Sequence, residues 1–357
     1  MTILLSILVA LLLLISIWVV RNRAADHSEY DVPVTPLMID TDDVSAQHQV
    51  VLDKLKVFHE QTARDVESQR AQMDEFFSRN IDATIIATDV NGIPGEWVLA
   101  TGADPDRRLL YLHGGGFRLG SPRSHRYLTS ELARLAGVSV LALDYRMQPE
   151  YKTLDCHVDA RSAYRWIMEN GPAGQSPVQD MFIAGDSAGG TLTLTTIAWA
   201  RNEGLPAVNG AIAMAPLTDS TMSSPSWRTN LETDPFLGPM MGQLFKLPKF
   251  LVALIMRASS GTALNNPEIS PLLGDLSNLP ETLIQVSRHE LLFDDSQRYA
   301  NKASSAGSKV SLQVWPIMVH VFQGFGPELP EANDALDHIG EFIRARFSKP
   351  MVIRKAG

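Results

Sequence analysis

From residue 83 onward, short apolar and β-branched runs alternate with longer stretches whose apolar residues recur at helical spacing. The runs at 84–88, 97–100, 109–112, 138–143, 181–184, 211–215, 282–286 and 310–314 are predicted strands. Helical patterns at 124–136, 155–170, 190–202, 294–306 and 331–347 separate most of the later ones. Strands joined through helices pair in parallel, so the pattern predicts an α/β fold: a mostly parallel eight-stranded sheet with helices on both faces.

Three segments fall outside this alternation. Residues 47–80 are helical by their spacing, with Val51, Leu55, Phe58 and Val66 on one stripe. Residues 219–266 form a long Pro- and Met-containing insertion between the sixth and seventh strands, read as a cap over the site. Its apolar run 250–256 is too short to span a bilayer and is flanked by Lys246, Lys249 and Arg257.

The third is the run 3–20, apolar except for Ser6 and Ser16 and followed by Arg21 and Arg23. Its length just suffices to cross a membrane. No basic residue precedes it and no small-x-small site follows it, which favours a retained anchor over a cleaved signal. The two arginines place the bulk of the chain on the cytoplasmic side. The domain plan is therefore an anchor at 1–23, a tether at 24–46, N-terminal cap helices at 47–80, the cap insertion at 219–266, and a catalytic domain at 81–218 and 267–357.

Composition adds exclusions. Apolar residues make up 45% and charged residues 20%, ordinary for an enzyme with a large core. A formal charge of −9 with scattered basic residues argues against a nucleic-acid partner. The single cysteine, Cys156, permits neither an internal disulfide nor a Cys-based zinc site. Oligomeric state, a homodimer included, stays open.

The chemistry concentrates in three places. Gly185-Asp186-Ser187-Ala188-Gly189 follows a predicted strand and opens a predicted helix, the context a nucleophile elbow requires. The flanking glycines are needed because side chains there would collide, and the sharp turn exposes the Ser187 hydroxyl. Upstream, Tyr111-Leu112-His113-Gly114-Gly115-Gly116-Phe117 ends another strand. Its bare backbone suits Gly115 and Gly116, with Ala188, as oxyanion donors, and His113 reads as a brace for the loop. Chain order Ser, acid, His then asks for a late histidine, and His320 follows the last predicted strand.

The His-Gly-Gly-Gly loop, Gly-Asp-Ser-Ala-Gly-Gly and Asp144-Tyr145-Arg146-Met147-Gln148-Pro149-Glu150 together resemble the hormone-sensitive-lipase family of bacterial esterases, from about Leu109 to Phe322. The resemblance implies an α/β-hydrolase fold with a helical cap and cofactor-independent cleavage of short- to medium-chain acyl esters. It implies Ser187 as nucleophile and His320 as general base. Matching Val286-Ser287-Arg288-His289-Glu290-Leu291-Leu292-Phe293-Asp294-Asp295-Ser296 to the family's acid segment puts Glu290 in the acid's place, with Asp294 as the alternative. Two departures from the family's usual strings, Met147 and Gln148, touch nothing catalytic. Asp186 and the Asp144-Tyr145-Arg146 trio read as structural, the trio as a buried polar brace.

Three rival readings use the same scaffold. Acyl transfer to an alcohol or amine, or amide hydrolysis, would run through the same acyl-enzyme. A lipase for longer acyl chains would suit the apolar cap and the N-terminal run. A non-catalytic binding protein is the third, since some relatives, such as the gibberellin receptor, bind without hydrolysing; those have lost the histidine that His320 keeps.

Overall fold

The computed structural model describes residues 26–32, 37–38 and 44–348. The anchor read at 1–23 lies outside the described residues.

Nine strands form one sheet. Across it run Leu37–Met38, Val310–Trp315, Thr282–Ser287, Gly210–Met214, Asp180–Asp186, Asp104–Leu112, Val138–Leu143, Ile93–Ala100 and Ala83–Val90. All neighbours pair in parallel except around Ile93–Ala100, which is antiparallel to both of its neighbours. The eight expected strands are all present, and the ninth is the two-residue edge strand Leu37–Met38, too short for any hydrophobic pattern to betray.

The central strands bury both faces, which is why they read as continuous apolar runs rather than alternating ones. Leu110, Leu112, Leu141, Leu143 and Ile183 point to one side, where the helices Thr153–Ile167, Ala188–Asn202 and Phe293–Ser305 pack. Leu109, Tyr111, Val138, Val140 and Phe182 point to the other, against Arg126–Ala136 and Pro330–Arg344. Every loop that carries a candidate site residue leaves the carboxyl end of a parallel strand, the edge where α/β sheets hold ligands.

The N-terminal cap helices expected at 47–80 are Gln47–Glu60 and Val66–Phe76. Asp65 starts the second by accepting from the Ser68 backbone N–H at 2.8 Å, so Val66 does not continue the stripe of Val51 and Leu55. The 219–266 insertion holds the helices Ser226–Thr229, Leu237–Leu244 and Lys249–Ser260. The segment read as a tether is partly docked: Asp31 pairs with Arg298 at 2.5 Å, and Asn301 donates to the Tyr30 and Val32 carbonyls. These contacts join residues far apart in sequence, and spacing could not reveal them.

Candidate active site

Ser187 sits between the Asp180–Asp186 strand and the Ala188–Asn202 helix with φ 51° and ψ −117°, a conformation L-residues rarely adopt. The turn is tight because the backbone must pass against the neighbouring strand. A Cβ on Gly189 would overlap the Leu112 carbonyl oxygen, so no other residue fits there. Ser187 N–H donates to the Met214 carbonyl at 2.7 Å, pinning the elbow to the adjacent strand.

The glycine loop lies directly beside the elbow. Gly115 has φ 115°, and a Cβ there would strike the Leu119 carbonyl. Asp186 ties the two loops together: it accepts from Tyr111 Oη at 2.6 Å and from the Gly114 N–H at 3.0 Å, and faces His125 Nε2 at 3.4 Å. Burial works to raise the Asp186 carboxyl, yet the His125 charge and the hydrogen bonds from His125 and Tyr111 hold it below its ordinary value. The Tyr145 hydroxyl donates to the His113 carbonyl at 2.7 Å and its ring stacks on the His113 imidazole, 4.2 Å between centroids. Burial first, and the neighbouring His125 second, push His113 down to about 3, so it stays neutral. Ala188 opens its helix, so its N–H has no acceptor within that helix.

Glu290 and His320 leave the ends of the two strands on the far side of the elbow. His320 Nδ1 lies 2.5 Å from Glu290 Oε2, and Glu290 Oε1 accepts from the Ser287 N–H at 2.6 Å. Both side chains are almost fully buried, at 2% and 1% exposure. Burial disfavours the imidazolium, but the hydrogen bond to Glu290 and its charge outweigh that and raise His320 above its ordinary 6.5.

Ser187, Gly115, Gly116 and His320 line one cavity of about 230 Å3. Its roof comes from both segments that interrupt the α/β alternation: Phe58, Met73 and Phe77 from the N-terminal helices, and Phe236, Leu237 and Met240 from the insertion. The Phe236 ring lies against His320, 6.1 Å between centroids. A second cavity, of about 210 Å3, opens on the other side of Ser187 and is lined by Ala188, Leu217, Met222, Trp227 and Leu292.

A family model described as "alpha/beta hydrolase fold" matches residues 109–324. An acetyl-hydrolase from Streptomyces hygroscopicus is 36% identical over 250 residues, covering 70% of this chain and 79% of the relative. An esterase from Acinetobacter venetianus is 31% identical over 271 residues, covering 76% and 85%. The crystal structure of an esterase from the bacterial hormone-sensitive lipase family superposes with a TM-score of 0.76 at 34% identity, covering 86% of this chain and 100% of that one. The chain belongs to the hormone-sensitive-lipase family of α/β hydrolases.

Within that family frame the acid segment divides its carboxylates cleanly. Asp294, the alternative acid, points away from His320: its Oδ2 accepts from the Ser226 N–H at 2.7 Å, and the Ser226 hydroxyl bonds to its backbone N–H at 3.1 Å. It therefore ties the insertion to the start of the helix Phe293–Ser305 instead of capping that helix, whose N-cap is Leu292. Asp295, which carries no role in the sequence reading, is fully buried. Burial, with the nearby Asp219 charge second, pushes it up to about 7. It accepts from the Thr218 and Asp219 N–H groups at 2.8 and 3.0 Å and from the Trp227 indole at 3.3 Å, holding the start of the insertion in place.

The Asp144-Tyr145-Arg146 brace is corrected in part. Tyr145 is buried as expected, but the Arg146 side chain is 37% exposed, because it clamps Asp159 from outside the helix Thr153–Ile167. Cys156 is wholly buried, and its thiol is pushed up to about 12 by burial, which leaves it inert. Sequence reasoning missed His125, which stands at the N-cap of the Arg126–Ala136 helix and meets Asp186, a residue 61 positions away in the chain.

Proposed function

We propose that this carboxylic ester hydrolase cleaves short- to medium-chain acyl esters through an acyl-enzyme on Ser187. The observation that carries the reading is the 2.5 Å contact from Glu290 to His320 Nδ1, with His320 lining the cavity that also holds Ser187. With its proton held on Nδ1, the neutral imidazole leaves Nε2 bare to take the Ser187 proton as the hydroxyl attacks the ester carbonyl. The oxygen that becomes negative meets the N–H groups of Gly115, Gly116 and Ala188, which stabilise charge that exists only in the transition state. His320 then returns the proton to the departing alkoxide, and water repeats the cycle on the acyl-enzyme.

Proton return fixes the direction of the substrate. The leaving alcohol must face His320, in the cavity under Phe58 and Phe236, so the acyl chain extends the other way, past Ala188 toward Leu217 and Met222. That second cavity is small and apolar, which suits short and medium acyl groups, and the acetyl-hydrolase relative is named for the shortest of them. The residues at 47–80 and 219–266 act as the cap that excludes water from both. Hydrolysis of p-nitrophenyl acetate, butyrate, octanoate and palmitate tests the reading. Turnover is expected on the first three with a steep fall beyond octanoate, whereas palmitate hydrolysed as fast as butyrate would favour the lipase reading.

We further infer a membrane tether through residues 3–20. Sequence supports it, in an apolar length interrupted only by Ser6 and Ser16 and in the following Arg21 and Arg23, which favour a cytoplasmic catalytic domain. Among the described residues no single helix is long and apolar enough to cross a membrane. The exposed Phe250, Leu254 and Ile255 on the insertion, with Lys249 at the same helix start, would suit contact with a lipid surface. The full chain is expected to sediment with membranes and a chain lacking residues 1–25 to remain in the supernatant; equal distribution of the two would refute the tether.

A further inference from the structure

Behind the acyl cavity lies another. About 320 Å3 in volume, it is lined by Leu231, Phe245, Val252 and Ala253 of the insertion, with Arg228 and Lys249 also on its wall. Three residues line both cavities: Met222, Trp227 and Leu264. All three are buried, at 9%, 6% and 3% exposure, so each side chain stands between one space and the other.

The partition is held, not merely packed. The Trp227 indole N–H donates to Asp295 Oδ1, and its ring meets Phe245 edge-on at 6.0 Å. Met222 sits at φ 53°, in a turn closed by its N–H to the Asp219 carbonyl at 3.0 Å. Asp219 in turn accepts from the Thr221 N–H at 2.9 Å. The Asp295 carboxylate thus holds the Trp227 indole directly, and the Asp219 carboxylate holds the turn that carries Met222 through Thr221 and Ser223 on either side of it.

We propose that Trp227, with Met222 and Leu264, is the partition that sets the acyl-chain limit, and that the cavity behind it is a latent site for the distal methylenes of a longer acyl chain. This rests on the reading that the acyl group of the Ser187 ester points away from His320. The lining explains the ligand class: apart from Thr221, Arg228 and Lys249, the rear cavity offers only hydrocarbon, aromatic and thioether surface, which an acyl tail satisfies and a polar ligand does not. In the native enzyme a medium chain ends against the indole, and each further methylene has nowhere to go.

The test is the ratio of kcat/KM for p-nitrophenyl dodecanoate to that for p-nitrophenyl butyrate. One admitted or refused methylene shifts kcat/KM by roughly tenfold or more, so Trp227→Ala is expected to raise the ratio by at least about tenfold. Met222→Ala is expected to raise it less. Adding Ala253→Phe to Trp227→Ala refills the rear cavity and should bring the ratio back down. An unchanged ratio in both single variants overturns the partition, as does a gain that Ala253→Phe leaves untouched. Should Trp227→Ala fail to fold once Asp295 loses its indole partner, Met222→Ala decides alone, since its side chain carries no hydrogen-bonding group. A native enzyme inactive on butyrate would instead overturn the proposed esterase function itself.

Discussion

Ser187→Ala is expected to lower kcat/KM for p-nitrophenyl butyrate by roughly 10^6-fold, the scale on which loss of the nucleophile removes an acyl-enzyme route. The size follows from the division of labour at the elbow. The proposed oxyanion donors are backbone groups of Gly115, Gly116 and Ala188, and the substitution leaves them in place. What disappears is the hydroxyl whose attack they serve, so only their small stabilisation of direct water attack remains. Because the Ser187 backbone is held at φ 51° by the Met214 carbonyl and by the close pass of Leu112 over Gly189, the alanine inherits the same turn. Circular dichroism of the variant should therefore match the native enzyme, and kinetics carry the whole effect.

Glu290→Gln is expected to cost about 10^4-fold in kcat/KM, against a change of less than about tenfold for Asp294→Asn. Glutamine keeps the shape of the side chain but carries no charge. Its amide N–H can face Nδ1, which moves the ring proton to Nε2 and leaves no acceptor for the Ser187 hydroxyl. Asp294 bonds to Ser226 and never meets the imidazole, so its asparagine variant tests stability more than chemistry. The pH profile gives a second readout of the same contact. Attack needs neutral His320, so activity falls as pH drops through the imidazole pKa, and the raised value puts that limb above 6.5. Removing the Glu290 charge removes what raises it, and the residual activity of Glu290→Gln should lose its acid limb to lower pH. A limb in the same place for both proteins would mean that Glu290 does not set the imidazole, and a native profile flat down to pH 4 would speak against any histidine base.

What could be read in the sequence and what could not divides along contact distance. The strands 138–143 and 282–286 were legible because parallel strands buried on both faces write nearly continuous apolar runs, and 310–314 because Val310, Leu312 and Val314 alternate with Ser311 and Gln313. The elbow and the glycine loop were legible because their geometry is local: a Cβ has no room at Gly189 or Gly115, and each motif sits beside the strand that makes it so. The acid was less legible. Glu290 and Asp294 lie within one helical turn of each other, and which of them turns toward His320 depends on the Ser287 N–H and on Ser226, the second brought in from the insertion. The break at 61–65 between the two N-terminal helices rests on a single cap by Asp65, a weak signal beside a continuing apolar stripe. The Asp295 anchor and the Trp227 wall were illegible, since a Trp and an Asp far apart in the chain carry no mark of their meeting.

Acylation of Ser187 Oγ during turnover is the step on which every other role here depends. Treating the native chain with a stoichiometric p-nitrophenyl alkylphosphonate and mapping the adduct by peptide mass spectrometry tests it most directly. One adduct on Ser187, formed as activity is lost and absent in Ser187→Ala, is the expected result. Loss of activity with the adduct on another residue, or continued ester hydrolysis by Ser187→Ala at the native rate, would contradict it.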